Sequence, residues 1–327
     1  MRSNLAPSHA LHYNQNLMLI VTGSIAYDYI MGFPGSFSEH VLPEHNNNIN
    51  LSFIVNSFAK RRGGTAGNVS YTLGLLETQH KLYSYAGSDF TLYAKEFEKL
   101  SIDLSGVEID QTDYTSTGFA MADKNQNQIW GFYYGAGAKN KDLQLNSVAK
   151  KDDLVLIGPQ GAEGSLSFVK QCIELEIPYM FDPGFILTQV SDTDLEHGLK
   201  YAYYIIGNDY EINLMKKRIG SWDEITAGKI IITTLGEKGA KINTAEKEYT
   251  INPVQATSVA GTPGAGDAWR GGFLAGIVWG FDLQKSGQMG AVASAYAVEH
   301  VGTQEHVYTK TAFAQRYKDA YNEDLEI

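Results

Sequence analysis

The chain has 327 residues, 43% of them hydrophobic, which is enough for one large α/β domain or for a domain with a smaller subdomain. Its formal net charge of −11 comes from scattered acids, which argues against nucleic acid or an anionic membrane as a partner. The single cysteine, Cys172, excludes an internal disulfide and a multi-cysteine metal site, and it indicates the reducing cytoplasm.

The first apolar segment is predicted to be a buried strand. Residues 1–15 are polar and irregular, so we expect a loose N-terminal extension. The run from Leu17 to Val21 is too short for a membrane span and predicts a strand that ends beside Ser24. Asp28 lies just beyond, where a carboxylate could accept hydrogen bonds from two sugar hydroxyls. An Asx-turn at the strand end explains Asp28 equally well.

Two separated segments, 29–61 and 114–137, interrupt the α/β pattern and predict a small β-sheet. Alternation over 49–55 indicates a half-exposed strand, and residues 115–122 and 128–134 read as a hairpin. Their simplest joint explanation is a small sheet that covers a ligand site as a lid. The alternative is a pair of ordinary surface hairpins.

A glycine pair opens the next predicted helix. Gly63 and Gly64 permit close approach of a ligand to the backbone, and Asn68 on the first turn can donate and accept hydrogen bonds toward hydroxyls. This segment is a second candidate ligand cradle.

Strands and helices then alternate regularly, which predicts a mostly parallel sheet with helices on both faces. The predicted large α/β domain comprises residues 16–28, 62–113 and 138–327. Ligands collect at the carboxyl ends of such strands, where Asp182, Asn208 and Gly236 stand.

The segment from Asn208 to Glu211 has two interpretations. Asn208 at a helix N-cap with Glu211 three residues later is a variant of the capping box. The same amide and carboxylate could hold hydrated Mg²⁺ and its phosphates. The segment from Thr234 to Gly239 is likewise either a hairpin turn or a backbone surface that receives a nucleotide.

The segment from Gly261 to Gly272 suggests an anion site at a helix start. Gly264, Ala265 and Gly266 form a tight turn that leaves the first backbone N–H groups of the helix free for an anion. Asp267 follows, where a general base could face the same pocket. Alternatively, Asp267 merely caps the helix.

Together these motifs resemble the ribokinase-like family of carbohydrate and nucleoside kinases, of the phosphofructokinase B type. The sequence from Gly63 to Asn68 is similar to the family's Gly-Gly-x-x-x-Asn signature, and that from Gly264 to Asp267 to its Gly-Ala-Gly-Asp signature. Asn208 and Glu211 match its Asn-x-x-Glu magnesium motif. Within the family, the likeness is strongest to bacterial adenosine kinases and related nucleoside kinases, and Gly302-Thr303-Gln304-Glu305 is one of the segments that carry it.

The resemblance implies a three-layer α/β domain with a small β-sheet lid, and it implies roles for individual residues. Asp267 would be the base that takes the proton of a 5′-hydroxyl, above an anion hole formed by Gly264, Ala265 and Gly266. The remaining implied contacts are Ser24, Asp28, Gly63, Gly64 and Asn68 for the substrate, Asn208 and Glu211 for Mg²⁺ (through water) and ATP, and Thr234, Gly236 and Gly239 for ATP.

Two further residues are weighed from their positions. Arg270, one turn into the helix, is placed to add positive charge near the phosphates, unless it forms only a surface salt bridge. A purine needs flat apolar walls, and among the aromatic residues of the predicted lid we select Phe119 as one wall. The alternative is that these rings only fill the packing face of the lid.

The predicted function is ATP-dependent phosphorylation of a purine nucleoside, adenosine to AMP foremost, with a ribose- or fructose-type sugar kinase and a catalytically silent nucleoside sensor as alternatives. A monomer is the default, and a homodimer through the lid is the alternative. Three residues before its Gly-Ala-Gly-Asp signature the family usually has an aspartate, and this sequence has Gly261 there. The difference puts activation by a monovalent cation in doubt.

Overall fold

A nine-stranded, mostly parallel sheet forms the centre of the molecule in a computed structural model that describes residues 17–39, 51–125 and 127–327. The predicted extension over 1–15 therefore lies outside the described residues. The strand order is β13-β12-β11-β10-β9-β8-β1-β4-β5, and only the β11–β12 and β12–β13 pairings are antiparallel. The strands are β1 (Leu19–Thr22), β4 (His80–Gly87), β5 (Val107–Asp110), β8 (Leu154–Ile157), β9 (Tyr179–Phe181), β10 (Tyr204–Asn208), β11 (Ile230–Thr234), β12 (Ala240–Asn243) and β13 (Glu248–Ile251).

Helices cover both faces of this sheet, because its central strands are apolar on both sides. In β1, Leu19 and Val21 belong to one hydrophobic core and Ile20 belongs to the other. The described helices are α1 (Thr65–Leu75), α2 (Thr91–Glu98), α3 (Ala162–Glu174), α4 (Asp192–Tyr201), α5 (Asp209–Arg218), α6 (Trp222–Ile225), α7 (Ala265–Val278), α8 (Leu283–Val298) and α9 (Lys310–Tyr321). The predicted α/β class is confirmed.

A second, four-stranded sheet has the order β3-β2-β6-β7. Its strands are β2 (Ala26–Gly32), β3 (Ser57–Gly63), β6 (Ser116–Ala122) and β7 (Gln128–Tyr133). The predicted hairpin is present as β6 and β7, which pair antiparallel, while β2 and β6 pair parallel. The second sheet thus combines two distant pieces of the chain, as predicted.

One predicted strand of this sheet is misplaced. Residues 51–55 form no strand, and residues 49–50 lie outside the described residues. The strand is β3, whose sequence Ser-Phe-Ala-Lys-Arg-Arg-Gly shows no apolar alternation. Pairing with β2, from Ala26↔Gly63 to Gly32↔Ser57, determines this strand, and a local hydrophobic pattern cannot report such pairing.

The predicted boundaries of the small sheet also shift. Residues 26–28 and 62–63 were assigned to the large domain, but they belong to β2 and β3. Asp28 is therefore a side chain of the small sheet and not of the strand end that precedes it.

Helices α7 and α8 pack unusually closely because glycines lie at their contact. A Cβ atom on Gly272 would lie 2.6 Å from the carbonyl oxygen of Met289, and one on Gly290 would lie 2.8 Å from that of Trp269. Both neighbours are backbone atoms, which cannot rotate away. This contact fixes the position of α7, which begins at the candidate site.

We predict that Gly272→Ala lowers the free energy of unfolding by about 1–3 kcal/mol, because α8 must move to admit the methyl group. Denaturant unfolding measures the change. Gly220→Ala is the control, since nothing lies within 4 Å of its Cβ position, and we expect a change within about 0.5 kcal/mol. Equal stability of the two variants would contradict the close packing of α7 on α8.

Candidate active site

The N-terminus of α7 forms the centre of the site. Gly264 is its N-cap, with a left-handed φ of 82°, and a Cβ atom there would lie 2.8 Å from Cβ of Thr303. The N–H of Ala265 donates to the carbonyl of Thr262 at 3.2 Å. Within the described part of the chain, the N–H groups of Gly266 and Asp267 have no acceptor. These two N–H groups lie at the positive end of the helix dipole and are therefore available to an anion. The N–H of Ala265 is not available, because it already donates to Thr262.

The carboxylate of Asp267 is half-buried on the first turn of α7. Nδ2 of Asn68, on the first turns of α1, donates to its Oδ2 at 2.7 Å. Burial raises the pKa of Asp267 to about 6, against the opposing effects of Arg270 and of the Asn68 hydrogen bond. Asp267 is thus mostly ionised at pH 7, and its pKa is close enough to that pH for the carboxylate to take up a proton.

Ser24 shapes the start of α1. Its Oγ accepts a hydrogen bond from the N–H of Thr65 at 3.0 Å, and its carbonyl accepts from that of Ala66 at 3.0 Å. Gly64 adopts φ 87°, and a Cβ atom there would lie 2.5 Å from the carbonyl oxygen of Ser24. Ser24 and Gly64 therefore serve this turn, and any contact with a substrate remains a prediction.

Asp28 lies between two glycines of the small sheet. Cβ atoms on Gly63 and Gly118 would lie 2.5 Å and 2.6 Å from its carboxylate oxygens. Burial raises the pKa of Asp28 to about 6. The carboxylate itself packs against these two positions, so a side chain at either one would displace it.

The structure places Phe119 away from Asp28, so its role as a wall of the pocket stays a prediction. In β6, Gly118 pairs with Asp28 and Phe119 pairs with Tyr29, so Phe119 lies on the opposite face of the small sheet from Asp28. There its ring stacks on Tyr29, with centroids 5.4 Å apart. The Asp28 face carries instead Phe132, the pairing partner of Gly118, whose ring lies 6.1 Å from that of Phe185.

Arg270 forms a buried ion pair, so the alternative of a surface salt bridge is wrong. Its Nε and Nη2 donate to the carboxylate of Asp182 at 2.5 Å and 2.8 Å, and its Nη1 donates to the carbonyl of Gly266 at 3.0 Å. Burial acts to lower the pKa of Arg270, but the charge of Asp182 holds it above its ordinary value. Asp182, noted in the sequence only as a strand end, thereby fixes the first turn of α7.

Asn208 and Glu211 form a complete capping box at the start of α5. Oδ1 of Asn208 accepts from the N–H of Glu211, and Oε2 of Glu211 accepts from the N–H of Asn208, each at 2.8 Å. Burial, together with the charge of Asp182, raises the pKa of Glu211. The capping interpretation holds, and it leaves Oε1 of Glu211 for a further partner.

Charge around α7 favours a cation. Three carboxylates, Asp182, Glu211 and Asp267, face one guanidinium, that of Arg270. No cluster of three or more His, Cys, Asp or Glu side chains among the described residues could hold a metal ion. An Mg²⁺ ion that keeps several waters would need only one or two of these carboxylate oxygens, and Oε1 of Glu211 could serve as one.

The turn between β11 and β12 contains the predicted ATP contacts. It follows Thr234, and a Cβ atom on Gly236 would meet nothing within 4 Å. At Gly239, with φ 86°, a Cβ atom would lie 2.0 Å from the carbonyl oxygen of Ile251, so the hairpin itself requires this glycine. A groove of about 520 Å³ lies on the other face of the sheet from α7, between α5 and strands β11 and β12, and contains none of these glycines.

Gln304 is a buried residue of the site that the sequence did not single out by itself. Its Nε2 lies 2.9 Å from Oδ1 of Asn68, and its side chain is 1% exposed. The only sequence signal was its place in the Gly302–Glu305 segment.

The fold and the site together define a phosphotransferase of the ribokinase-like fold class. The model of the family described as pfkB family carbohydrate kinase matches residues 35–310. The chain therefore belongs to this family, which confirms the predicted membership.

Three relatives illustrate the similarity. A nucleoside kinase of Methanocaldococcus jannaschii is 30% identical over 90% of this chain and 94% of its own length. The structure of a Burkholderia thailandensis nucleoside kinase with inosine matches 94% of this chain and 99% of its own, at 32% identity and a TM-score of 0.83, and the same protein has been solved with ADP-inosine. A ribokinase from Thermotoga maritima, at 19% identity and a TM-score of 0.77, shares the fold.

Among the described helices, none is both long enough and apolar enough to cross a membrane.

We predict that Arg270→Met lowers the free energy of unfolding by about 3–5 kcal/mol, because it leaves Asp182 buried and unpaired. The double variant Arg270→Met/Asp182→Leu removes both charges, so its free energy of unfolding should lie within about 1–2 kcal/mol of the wild-type value in the same denaturant titration. The control is Lys241→Met, which breaks an exposed pair with Glu248 and should cost at most about 1 kcal/mol. A loss as small for Arg270→Met as for Lys241→Met would contradict the pairing.

Proposed function

We propose that this enzyme transfers the γ-phosphoryl group of ATP to the 5′-hydroxyl of a purine nucleoside. The observation that carries the proposal is the carboxylate of Asp267 beside the unengaged N–H groups at the start of α7. The nucleoside kinase names of two relatives, and the inosine and ADP-inosine bound to one of them, support a nucleoside as acceptor.

In this reaction Asp267 removes the proton of the attacking hydroxyl. The developing charge on the transferred group is stabilised by the first-turn N–H groups of α7, with Gly264 and Gly266 giving the backbone room to approach. Phosphoryl transfer depends on positioning and on charge neutralisation, and this helix start provides both. Asp28, Gly63 and the start of α1, from Gly64 to Asn68, bind the ribose.

Asn208 and Glu211 bind Mg–ATP through water, and Thr234, Gly236 and Gly239 receive the nucleotide. The excess of carboxylates around Arg270 supports a cation at this place. Bound Mg²⁺ would neutralise charge on the β- and γ-phosphates. Arg270 holds Gly266 in position by donating to its carbonyl, and it adds positive charge close to the first turn of α7.

The base of the nucleoside lies against the Asp28 face of the small sheet, at Phe132 and Phe185. The exposed rings at this place provide flat apolar surfaces on the same face as the ribose-binding carboxylate. Adenosine is the first substrate to test and inosine the second. One chain contains every residue named here, so we propose a monomer as the smallest active unit, acting in the cytoplasm, and a homodimer through the small sheet is the alternative.

The test is a coupled ADP-release assay with adenosine, inosine, guanosine, ribose and fructose, with and without K⁺. Nucleosides should be turned over, and Asp267→Asn should reduce kcat by about 10²–10⁴ while calorimetry still detects nucleoside binding. Because the base must be ionised, kcat/KM should rise with pH up to about 6 and then level off. Turnover of free sugars alone would identify a sugar kinase, and binding without ADP release a sensor.

The two rings of the small sheet make a matched pair for the base site, since Phe132 is 44% exposed and Phe119 is 48% exposed. Phe132→Ala should raise KM for the nucleoside by about 10- to 100-fold, the usual effect of losing a base-stacking ring. Phe119→Ala should change it by less than about threefold, because its ring lies on the other face of the sheet. A larger rise in KM for Phe119→Ala than for Phe132→Ala would place the base on the Phe119 face.

A further inference from the structure

A chain of hydrogen bonds runs from the small sheet to Asp267. Nε of Arg62, in β3, donates to Oε1 of Gln304 at 3.3 Å. Nε2 of Gln304 donates to Oδ1 of Asn68 at 2.9 Å, and Nδ2 of Asn68 donates to Oδ2 of Asp267 at 2.7 Å. We call these four residues the amide relay.

The two ends of the relay fix the direction of every bond in it. A guanidinium can only donate and an ionised carboxylate can only accept, so both amides must point their oxygen toward Arg62 and their N–H groups toward Asp267. Tyr93 agrees with this direction, because its hydroxyl donates to the carbonyl of Gly63 at 2.8 Å and accepts from Nε2 of Gln304 at 2.6 Å. A flip of Asn68 would therefore place its oxygen against a carboxylate and its N–H groups against those of Gln304.

The two amides at the centre of the relay are dry and tightly enclosed, together with Tyr93. Gln304 is 1% exposed, Asn68 4% and Tyr93 0%, so water does not compete for these groups. A Cβ atom on Gly67 would lie 2.0 Å from the Tyr93 hydroxyl and 3.2 Å from Nε2 of Gln304. Only a glycine at this position of α1 allows the side chains to meet.

Hydrogen bonds to the backbone also join the two segments that carry Arg62 and Gln304. Oγ1 of Thr303 donates to the carbonyl of Arg62 at 2.9 Å, and Nη2 of Arg62 donates to the carbonyl of Gln304 at 3.3 Å. Strand β3 and the segment after α8 are thereby held together, and the Gln304 side chain has one orientation.

We propose that Gln304 is a positioning residue for phosphoryl transfer: it holds the Asn68 amide with its N–H on Asp267, in a direction set by Arg62 of the small sheet. This inference rests on the proposed role of Asp267 as the base. Gln304 touches neither substrate nor phosphate in this role and acts through Asn68.

A measurable consequence follows for the ionisation of the base. The N–H of Asn68 stabilises the ionised form of Asp267 and lowers its pKa, as does Arg270, while burial and the charges of Asp182 and Glu211 raise it. If Gln304 no longer holds the amide, Asp267 loses a donor and retains the groups that raise its pKa. The base then ionises at higher pH.

The experiment compares Gln304→Met and Gln304→Glu with the wild type in pH profiles of kcat/KM for the nucleoside. For Gln304→Met we expect the midpoint of the acid limb to rise by about 0.5–1 pH unit, with kcat/KM about three- to tenfold lower at pH 5, since one donor to the carboxylate is lost. Gln304→Glu cannot donate to Asn68, so its midpoint should rise at least as far.

The control is Gln288→Met, which removes another buried glutamine: Gln288 lies in α8 and accepts a hydrogen bond from Tyr317 of α9. A general loss of stability would affect both Met variants, whereas only Gln304→Met should move the midpoint. Thermal unfolding of each variant shows that the profiles are recorded on folded protein.

A double-mutant cycle tests whether Gln304 acts through Asn68. In an Asn68→Ala background, Gln304→Met should change kcat/KM by less than about twofold, because the amide it positions is absent. An unshifted midpoint in both Gln304 variants, or the same effect of about three- to tenfold at pH 5 in the Asn68→Ala background, would overturn the relay. If Asp267→Asn removes turnover while the Gln304 profiles match the wild type, only the relay fails. If Asp267→Asn remains fully active, the proposed base itself is wrong.

Discussion

A carboxylate beside the free N–H groups of a helix start imposes the main constraint on this molecule. To act as the proposed base, Asp267 must remain ionised, although burial raises its pKa to about 6. The N–H of Asn68 and the charge of Arg270 oppose the cost of burial, and each needs its own support. Arg270 is held by Asp182, and Asn68 by Gln304. Several buried polar contacts around α7 therefore act, directly or through a neighbour, on the ionisation of Asp267.

The large sheet explains why these supports can meet. Asp182 follows β9, and Asn208 ends β10, the neighbouring parallel strand, so both come to the same edge of the sheet. Helix α7 begins near this edge because the glycine contact with α8 fixes its position. The small sheet adds Asp28 from β2 and Arg62 from β3. Carboxylates gather here at a cost in stability, and the Mg²⁺ ion of the proposed Mg–ATP would offset part of that charge.

Contiguous motifs were readable from the sequence, and contacts across the chain were not. The apolar strands and the two glycine signatures predicted the α/β class and the helix starts, because the physical requirement lies within a few residues. The pairing of Asp182 with Arg270 spans 88 positions, and that of Asn68 with Gln304 spans 236. Strand β3 was missed because pairing with β2 stabilises a charged sequence. The face of the small sheet on which Phe119 lies could not be predicted, because it depends on register with Asp28.

The most direct test of the account is to identify the bond that forms. Wild-type enzyme is incubated with Mg–ATP and adenosine, and in parallel with inosine, and the products are examined by ³¹P NMR with coupling to protons. The account predicts a phosphomonoester whose phosphorus couples to the two C5′ protons of an intact nucleoside, together with one ADP for each. A phosphate at another ribose position, or phosphorylation of free sugars while both nucleosides remain unchanged, would contradict it.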